Sequence, residues 1–179
     1  MADAARGQAR RSYVWGALSA FGLVIAAIAC ALDQASKFWL LDAFDLPGRG
    51  TVPVTPFAEL VLTWNTGISY GLFPQQGPVG QWALLAFKAV AVAFLWAWLA
   101  RASTRLTAAA LGLIIGGALG NALDRLHWPG VLDFVLLHLD TATWSFRWYV
   151  FNLADVAIVA GVMGLLYESI WGGSAAKAP

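Results

Sequence analysis

The chain is short of charge and almost devoid of cysteine. Only 12% of its 179 residues are charged, and Cys30 is the single cysteine. One thiol excludes an internal disulfide and any multi-cysteine metal site. The two histidines, His127 and His138, are too few for a zinc cluster unless carboxylates complete it, and no H-E-x-x-H pattern occurs. No metal and no cofactor are expected. Net charge is +1, so no broad basic field argues for nucleic acid as a partner. Repeats and low-complexity segments are lacking too. What abounds is apolar surface: 60% of the residues are hydrophobic, the composition of an integral membrane protein. The length has room for one membrane domain, residues 1–179, and no second.

A membrane-crossing helix needs about 20 mostly apolar residues. Four stretches qualify, at about 13–32, 79–100, 106–123 and 150–171. Basic residues orient them. Arg6, Arg10 and Arg11 precede the first, Arg101 and Arg105 fill the link between the second and third, and Lys177 follows the fourth. With four spans these segments share one side, which the positive-inside rule makes cytoplasmic. Both termini are then cytoplasmic, and segments 33–78 and 124–149 lie outside. Lys88, within the second stretch, reads as a lysine that snorkels or faces a neighbouring helix.

The outer segments carry their own pattern. Ala58, Leu60, Leu62 and Trp64 alternate with Glu59, Val61, Thr63 and Asn65, and Trp144, Phe146, Trp148 and Val150 alternate with Ser145, Arg147 and Tyr149. Period two predicts short strands, and the aromatics suit a membrane interface. The expected fold is therefore mainly α: four transmembrane helices, a small β structure on the outer leaflet and a short interfacial helix near Ser36 to Phe44. The tail from Gly172 is expected to be loose.

Arg10-Arg11, an apolar run and Ala27-Ile-Ala-Cys30 imitate a lipoprotein signal with its lipobox. A cleaved signal has an apolar core of about 7–15 residues; this run is long enough to span. It reads as a retained helix, with Cys30 a small residue near its outer end.

Polar residues collect at one border of the spans. Asp33 and Lys37, at the exit of the first, are four apart and share a helix face. Gly117, Asn121 and Asp124 at the exit of the third share another, with Gly116, Gly117 and Gly120 permitting close helix approach. Asn152 and Asp155 open the fourth, and Asn65-Thr-Gly67 can reach the same plane. Interfacial Asn and Asp are tolerated, and Asn152 alone can serve as a helix cap. Asp155 is different: it reads as lying past the first turn of an apolar span, where a carboxylate costs roughly 2.5–3.5 kcal/mol if central. It needs water, a partner or a task.

A second acid, Asp133, follows the third run across a short polar stretch, and a loop and a helix start can bring the two face to face. Two close carboxylates cannot both ionise easily, so one keeps a proton. The ionised acid can then activate water against a peptide carbonyl while the protonated one hydrogen-bonds the carbonyl oxygen. Asp124 beside Arg125 is expected to be held ionised by that opposite charge and to play a positioning role. Asn121 and Asn152 are expected to orient the acids.

Five segments together resemble the lipoprotein signal peptidase (signal peptidase II) family. They are Asp33-Gln-Ala-Ser-Lys37, Asn65-Thr-Gly67-Ile-Ser-Tyr70, Gly116-Gly-Ala-Leu-Gly-Asn121-Ala-Leu-Asp124-Arg125, Gly130-Val-Leu-Asp133-Phe134 and Phe151-Asn152-Leu-Ala-Asp155. They stand in the family's order over roughly Asp33 to Ala160. The resemblance implies a bacterial inner-membrane aspartyl protease of four spans and an outer β-cradle. Such an enzyme removes signal peptides from prolipoproteins carrying diacylglycerol on the lipobox cysteine, cutting just before it. By resemblance, Asp133 and Asp155 would be catalytic. Asp33, Lys37, Asn65, Gly117, Asn121, Asp124, Arg125, Asn152 and Ala154 would support the site or bind substrate. Partners would be the lipidated prolipoprotein and membrane lipids, globomycin would block the site, and a monomer is expected. The stretch from Asp133 to Asp155, with His138 and Asp140, is somewhat longer than the family pattern, which bears on the shape of the outer loop.

Other classes fit less well. A small transporter or proton pathway also uses intramembrane acids, but favours mid-membrane positions and broken helices in repeated halves. A non-catalytic assembly factor leaves the clustered acids unexplained. A serine–lysine peptidase would have to pair Ser69 with Lys37, because Ser36 and Lys37 point apart on a helix.

Overall fold

A computed structural model of the chain describes residues 13–67 and 78–172. Arg6, Arg10, Arg11, Ser69, Lys177 and the tail beyond Gly172 lie outside the described residues. Four helices are long and apolar enough to cross a membrane: Ser19–Ala43, Trp82–Leu99, Arg105–His127 and Leu153–Gly172. Helix α1 (Ser19–Phe38) runs on through a π-helical turn, Trp39–Ala43. The short helix α2 (Leu46–Arg49) follows, then strands β1 (Val52–Thr55) and β2 (Ala58–Asn65). Helices α3 (Pro78–Leu99) and α4 (Arg105–His127) come next. Strands β3 (Val131–Asp140) and β4 (Ser145–Arg147) lead to α5 (Leu153–Tyr167), which ends in a π turn at Glu168–Gly172.

Helix α4 occupies the centre, packed against α1, α3 and α5. Its glycines allow this. A side chain at Gly116 would meet the Ala26 backbone of α1, and one at Gly117 would meet the Ala154 carbonyl of α5. Close backbone approach of this kind replaces the hydrophobic drive that helices lack in lipid. Ala26, Leu99, Ala108, Leu111 and Ile115 form the buried core there. Helix α3 turns Val79, Trp82, Phe87, Val90, Phe94 and Trp98 outward, an apolar exterior that suits lipid rather than water.

At one end of the bundle sits an antiparallel sheet in the order β1-β2-β3-β4. Thr63 faces Asp133 and Trp64 faces Leu132 across β2 and β3, with a bulge between Leu60 and Thr63. A second core, Leu40, Leu46, Leu132 and Phe134, fastens the sheet to the end of α1 and to α2. Fully burying a side chain such as Leu132 or Leu46 stabilises the attachment by about 1.5–3 kcal/mol. Chain geometry makes the corner between them. Asp45 adopts a left-handed conformation, φ 52°, and its carboxylate accepts from the Gly48 N–H to start α2. Gly50, φ 69°, ends α2 where a side chain would be strained.

The expected class of fold is the one present, but several boundaries differ. The first helix starts at Ser19, not Tyr13, and continues past Leu32 to Ala43. Asp33 and Lys37 are therefore not at its exit, and Cys30 is mid-helix. The two charges are mutually paired inside the bundle, so they interrupt nothing. The segment expected as a separate helix near Ser36–Phe44 continues α1, and the separate short helix is α2. Strand β2 matches the alternation from Ala58 to Asn65, whereas the Trp144–Val150 alternation yields only Ser145–Arg147. Asp133 stands on a strand, not a loop: β3 is buried on both faces at its start, and an apolar run without alternation hides such a strand. Asp155 is not past the first turn of its helix. It is the third residue, because Asn152 caps the helix there.

Candidate active site

The polar residues form two connected layers where the sheet meets α1, α4 and α5. The inner layer is built around a cation. The Lys37 Nζ donates to Asp33 Oδ2 at 2.7 Å and to Asp124 Oδ2 at 2.6 Å, and reaches Asn121 Oδ1 at 3.4 Å. Asp33, Lys37 and Asp124 are all fully buried. The second oxygen of Asp33 accepts from the Ala154 N–H at 2.9 Å, tying α1 to the start of α5. Asp124 also accepts from the Leu132 N–H at 3.0 Å and from Gln34 Nε2 at 2.7 Å. Every carboxylate oxygen here is thus hydrogen-bonded, as buried charge requires. Gly120 leaves the room: a side chain on it would sit 2.6 Å from Asp33 Oδ2.

The outer layer has acids but no cation bound to them. Asn152 Nδ2 donates to Asp133 Oδ1 at 2.7 Å and to Asn121 Oδ1 at 3.0 Å. Asn121 Nδ2 in turn donates to Asp155 Oδ1 at 3.0 Å. Asn65 Nδ2 donates to the other oxygen of Asp133 at 3.1 Å. The two acids are therefore joined through a pair of amides. Asn152 and Asp155 also form a capping box: the Asp155 N–H donates to Asn152 Oδ1 at 2.9 Å and the Asn152 N–H to Asp155 Oδ2 at 3.3 Å. Asp133 is buried and Asp155 half-buried. Burial first, and then the charge of Asp155, pushes the Asp133 carboxyl up to about 7, although Asn65, Lys37 and Asn152 pull the other way.

Arg125 corrects one expectation. It does not pair with Asp124, whose cation is Lys37. Adjacent residues on a helix point roughly 100° apart. The Arg125 guanidinium instead donates to the carbonyls of Asn65, Thr66 and Gly67, holding the segment after β2 against α4. Its Nε is buried without a hydrogen-bond partner, the one such side-chain atom among the described residues. Arg125, Leu126, Trp82 and Leu85 line a small groove of about 110 Å³ between α3 and α4. Half-buried Lys88 on α3 lies within electrostatic reach of Asp155, Asp124, Arg125 and Lys37, so it faces the bundle.

All eleven residues singled out in the sequence reach this one region, Gly117 and Ala154 as the contact that seats α5 on α4. Gln34 was missed. It links Asp33, Asp124 and the Gly120 carbonyl, and its place one turn before Lys37 on the same face was the available signal. Lys37, committed to two carboxylates, is not free to act as the base of a serine–lysine pair.

A family model described as "Signal peptidase (SPase) II" matches residues 25–171. A lipoprotein signal peptidase of Rhodopseudomonas palustris strain TIE-1 is 59% identical over 158 residues, covering 88% of this chain and 96% of that protein. One from Nitrobacter hamburgensis is 60% identical with the same coverage. A solved bacterial membrane enzyme, determined by the in meso method at 2.3 Å resolution, superimposes with a TM-score of 0.66 at 20% identity, covering 89% of this chain and 92% of that one.

Proposed function

Since the chain belongs to the signal peptidase II family, we propose that it is an aspartic endopeptidase. It removes the signal peptide from diacylglyceryl-modified prolipoproteins, cutting just before the lipidated cysteine. Asp133 and Asp155 are its catalytic pair. The observation that carries this assignment is the Asn121–Asn152 bridge, which joins two carboxylates through amides while, among the described residues, no cation is hydrogen-bonded to either.

The chemistry follows from that arrangement. The pair titrates as a unit, and burial together with the charge of Asp155 raises the Asp133 carboxyl to about 7, so one proton is retained on the pair near neutrality. Asp155 takes a proton from a water as the water oxygen attacks the scissile carbonyl carbon. Asp133 hydrogen-bonds the carbonyl oxygen and protonates the tetrahedral intermediate. Returning a proton to the leaving nitrogen breaks the C–N bond and restores the acids. No covalent enzyme intermediate is needed.

Location and orientation fit this task. Four apolar helices and the family place the protein in the bacterial inner membrane. Arg101 and Arg105 stand at the α3–α4 link, at the end of α4 away from the sheet, which supports a cytoplasmic side there. The acids then face the outer leaflet surface. A diacylglyceryl cysteine is held near headgroup depth by its acyl chains, so the bond before it arrives at their level. The protein acts as a monomer among membrane lipids, and a globomycin-type inhibitor occupies the same site. Nothing favours a transport pathway, since the uncompensated acids sit at one border only.

Reconstitution with a lipidated prolipoprotein tests the reading. Cleavage before the lipidated cysteine is expected, and its loss in Asp133→Asn and Asp155→Asn with folding retained. Turnover surviving in either variant removes that residue from the pair, and solute or proton flux without cleavage overturns the function itself.

A further inference from the structure

Lys88 is the one charged residue of α3, and the proposed chemistry gives it no part. It does not stand on the lipid face. Leu85, Lys88, Val92, Leu95 and Leu99 follow one another at spacings of three and four, which makes one stripe of a helix. Val92, Leu95 and Leu99 of that stripe belong to the core of the bundle. Phe87, Val90, Phe94 and Trp98 carry the exposed side. An apolar residue would suit position 88, and a lysine inside a span is costly to keep there.

Contacts near both ends of α3 fix the level of Lys88. Leu99 clusters with Ala108 near the start of α4, while Trp82 and Leu85 share the groove with Arg125 and Leu126 near its end. The two helices are thus antiparallel. Lys88 lies one turn inward of the groove on α3, as Asn121 does on α4, and Asn121 is the residue that holds Asp155 Oδ1. Side chains on a helix lean toward its N-terminus, which for α3 is the sheet end. The ammonium therefore leans toward the polar layers. Three helices bring charge to it: Asp155 from α5, Asp124 and Arg125 from α4, and Lys37 from α1. Asp124 already has Lys37, and Arg125 holds the carbonyls of 65–67. Ion pairs among the described residues belong to Lys37 and His138, so Lys88 touches no carboxylate there and acts across a space. Asp155, partly open and without a bound cation, is the acid left for it. The cation that bears on Asp133 is Lys37.

We infer that Lys88 is a positioning residue for the acid pair: its charge, acting from α3, places the single negative charge of the pair on Asp155 and leaves the proton to Asp133. A cation nearer one of two coupled carboxylates favours the form charged there. The bridging amides of Asn121 and Asn152 give each acid a neutral donor, and Lys88 supplies the asymmetry that divides their roles. The inference rests on Asp133 and Asp155 as the catalytic pair and adds what assigns the base.

Carboxyl titration tests it apart from catalysis. The full-length protein, isotope-labelled in its aspartate carboxyls, is followed by NMR in micelles as pH is varied, with Asp133→Asn and Asp155→Asn assigning the signals of the pair. In Lys88→Met the first proton loss of the pair should move up by about half a pH unit, less than the roughly 1–3 units of a charge in direct contact. The second should move less. Lys88→Arg keeps the charge and should titrate as the parent does. Methionine suits the apolar stripe, so the unfolding midpoint of Lys88→Met should not fall. With a lipidated prolipoprotein, the acid limb of kcat against pH should rise together with the first step, and KM should hold. An unmoved first step in Lys88→Met overturns the inference, whatever happens to kcat, and so does an equal shift of both steps. A raised first step beside an unmoved acid limb upholds the placing of charge and counts instead against Asp133 and Asp155 as the catalytic pair.

Discussion

Two pairs of acids lie within one polar cluster, and they are treated in opposite ways. Asp33 and Asp124 share the ammonium of Lys37, are fully buried and have every oxygen hydrogen-bonded. Asp133 and Asp155 receive only neutral side-chain and backbone donors, and Asp155 stays partly open. The first pair shares a cation placed between its two acids. Amides orient the second pair without settling its protonation, so a proton can move there. The difference separates acids that build a site from acids that can work in it.

The largest effect that tests this division is on turnover. Asp133→Asn and Asp155→Asn should each lower kcat by about 10²–10⁴-fold, the usual worth of a general acid or base, while both variants remain cooperatively folded in micelles. Equal losses in Asp124→Asn protein that remains folded would abolish the distinction. Lys37→Met comes next and acts on the other pair. It strands two buried carboxylates without their cation and should destabilise by about 3–5 kcal/mol, read as a fall in the unfolding midpoint. An unchanged midpoint would mean the inner layer is not held by charge.

Asn152→Ala touches the outer layer alone. Loss of the cap should cost about 1 kcal/mol, and kcat should fall more than KM rises, because the acids lose their alignment rather than the peptide its seat. The smallest effect is on pH. Activity should decline above about pH 7 as the Asp133 proton is lost. Asn65→Ala removes a donor that favours the charged form, so it should carry this limb upward, by about 0.7 of a pH unit if the bond is worth about 1 kcal/mol. Stability has the matching sign. A carboxyl raised from 3.8 to about 7 weakens the fold progressively as pH climbs through that window. Asp133→Asn should therefore gain on the parent in unfolding midpoint between about pH 4 and 7; a parallel pair of curves would contradict the raised position.

Much of this was legible in the chain. The four apolar runs, the alternation of β2 and the amide–acid spacings on α4 and α5 are local patterns, and local patterns survive folding. What was not legible depended on contacts between distant segments. Asp124 looked paired with Arg125 because they are neighbours, yet its partner lies 87 residues away. Asp33 and Lys37 looked like a helix exit because isolated charges end spans, but paired charges do not. Strand β3 hid because its first residues are buried on both faces, leaving no alternation to read. Asp155 looked deeper than it is because apolar Phe151, which belongs to the sheet, lengthens the run.

The Asn152 amide touches β3, α4 and the first turn of α5 at once. This has a consequence for biogenesis. Asp133 arrives with the sheet and Asp155 with α5, which is synthesised after it, and neither element can assemble the pair alone. While the nascent chain is still threading into the membrane, the reactive centre does not exist. With Asp133 and Asp155 as the proposed pair, it comes into being only when α5 docks, so a chain that has not yet placed α5 lacks the pair needed to cut its neighbours or itself.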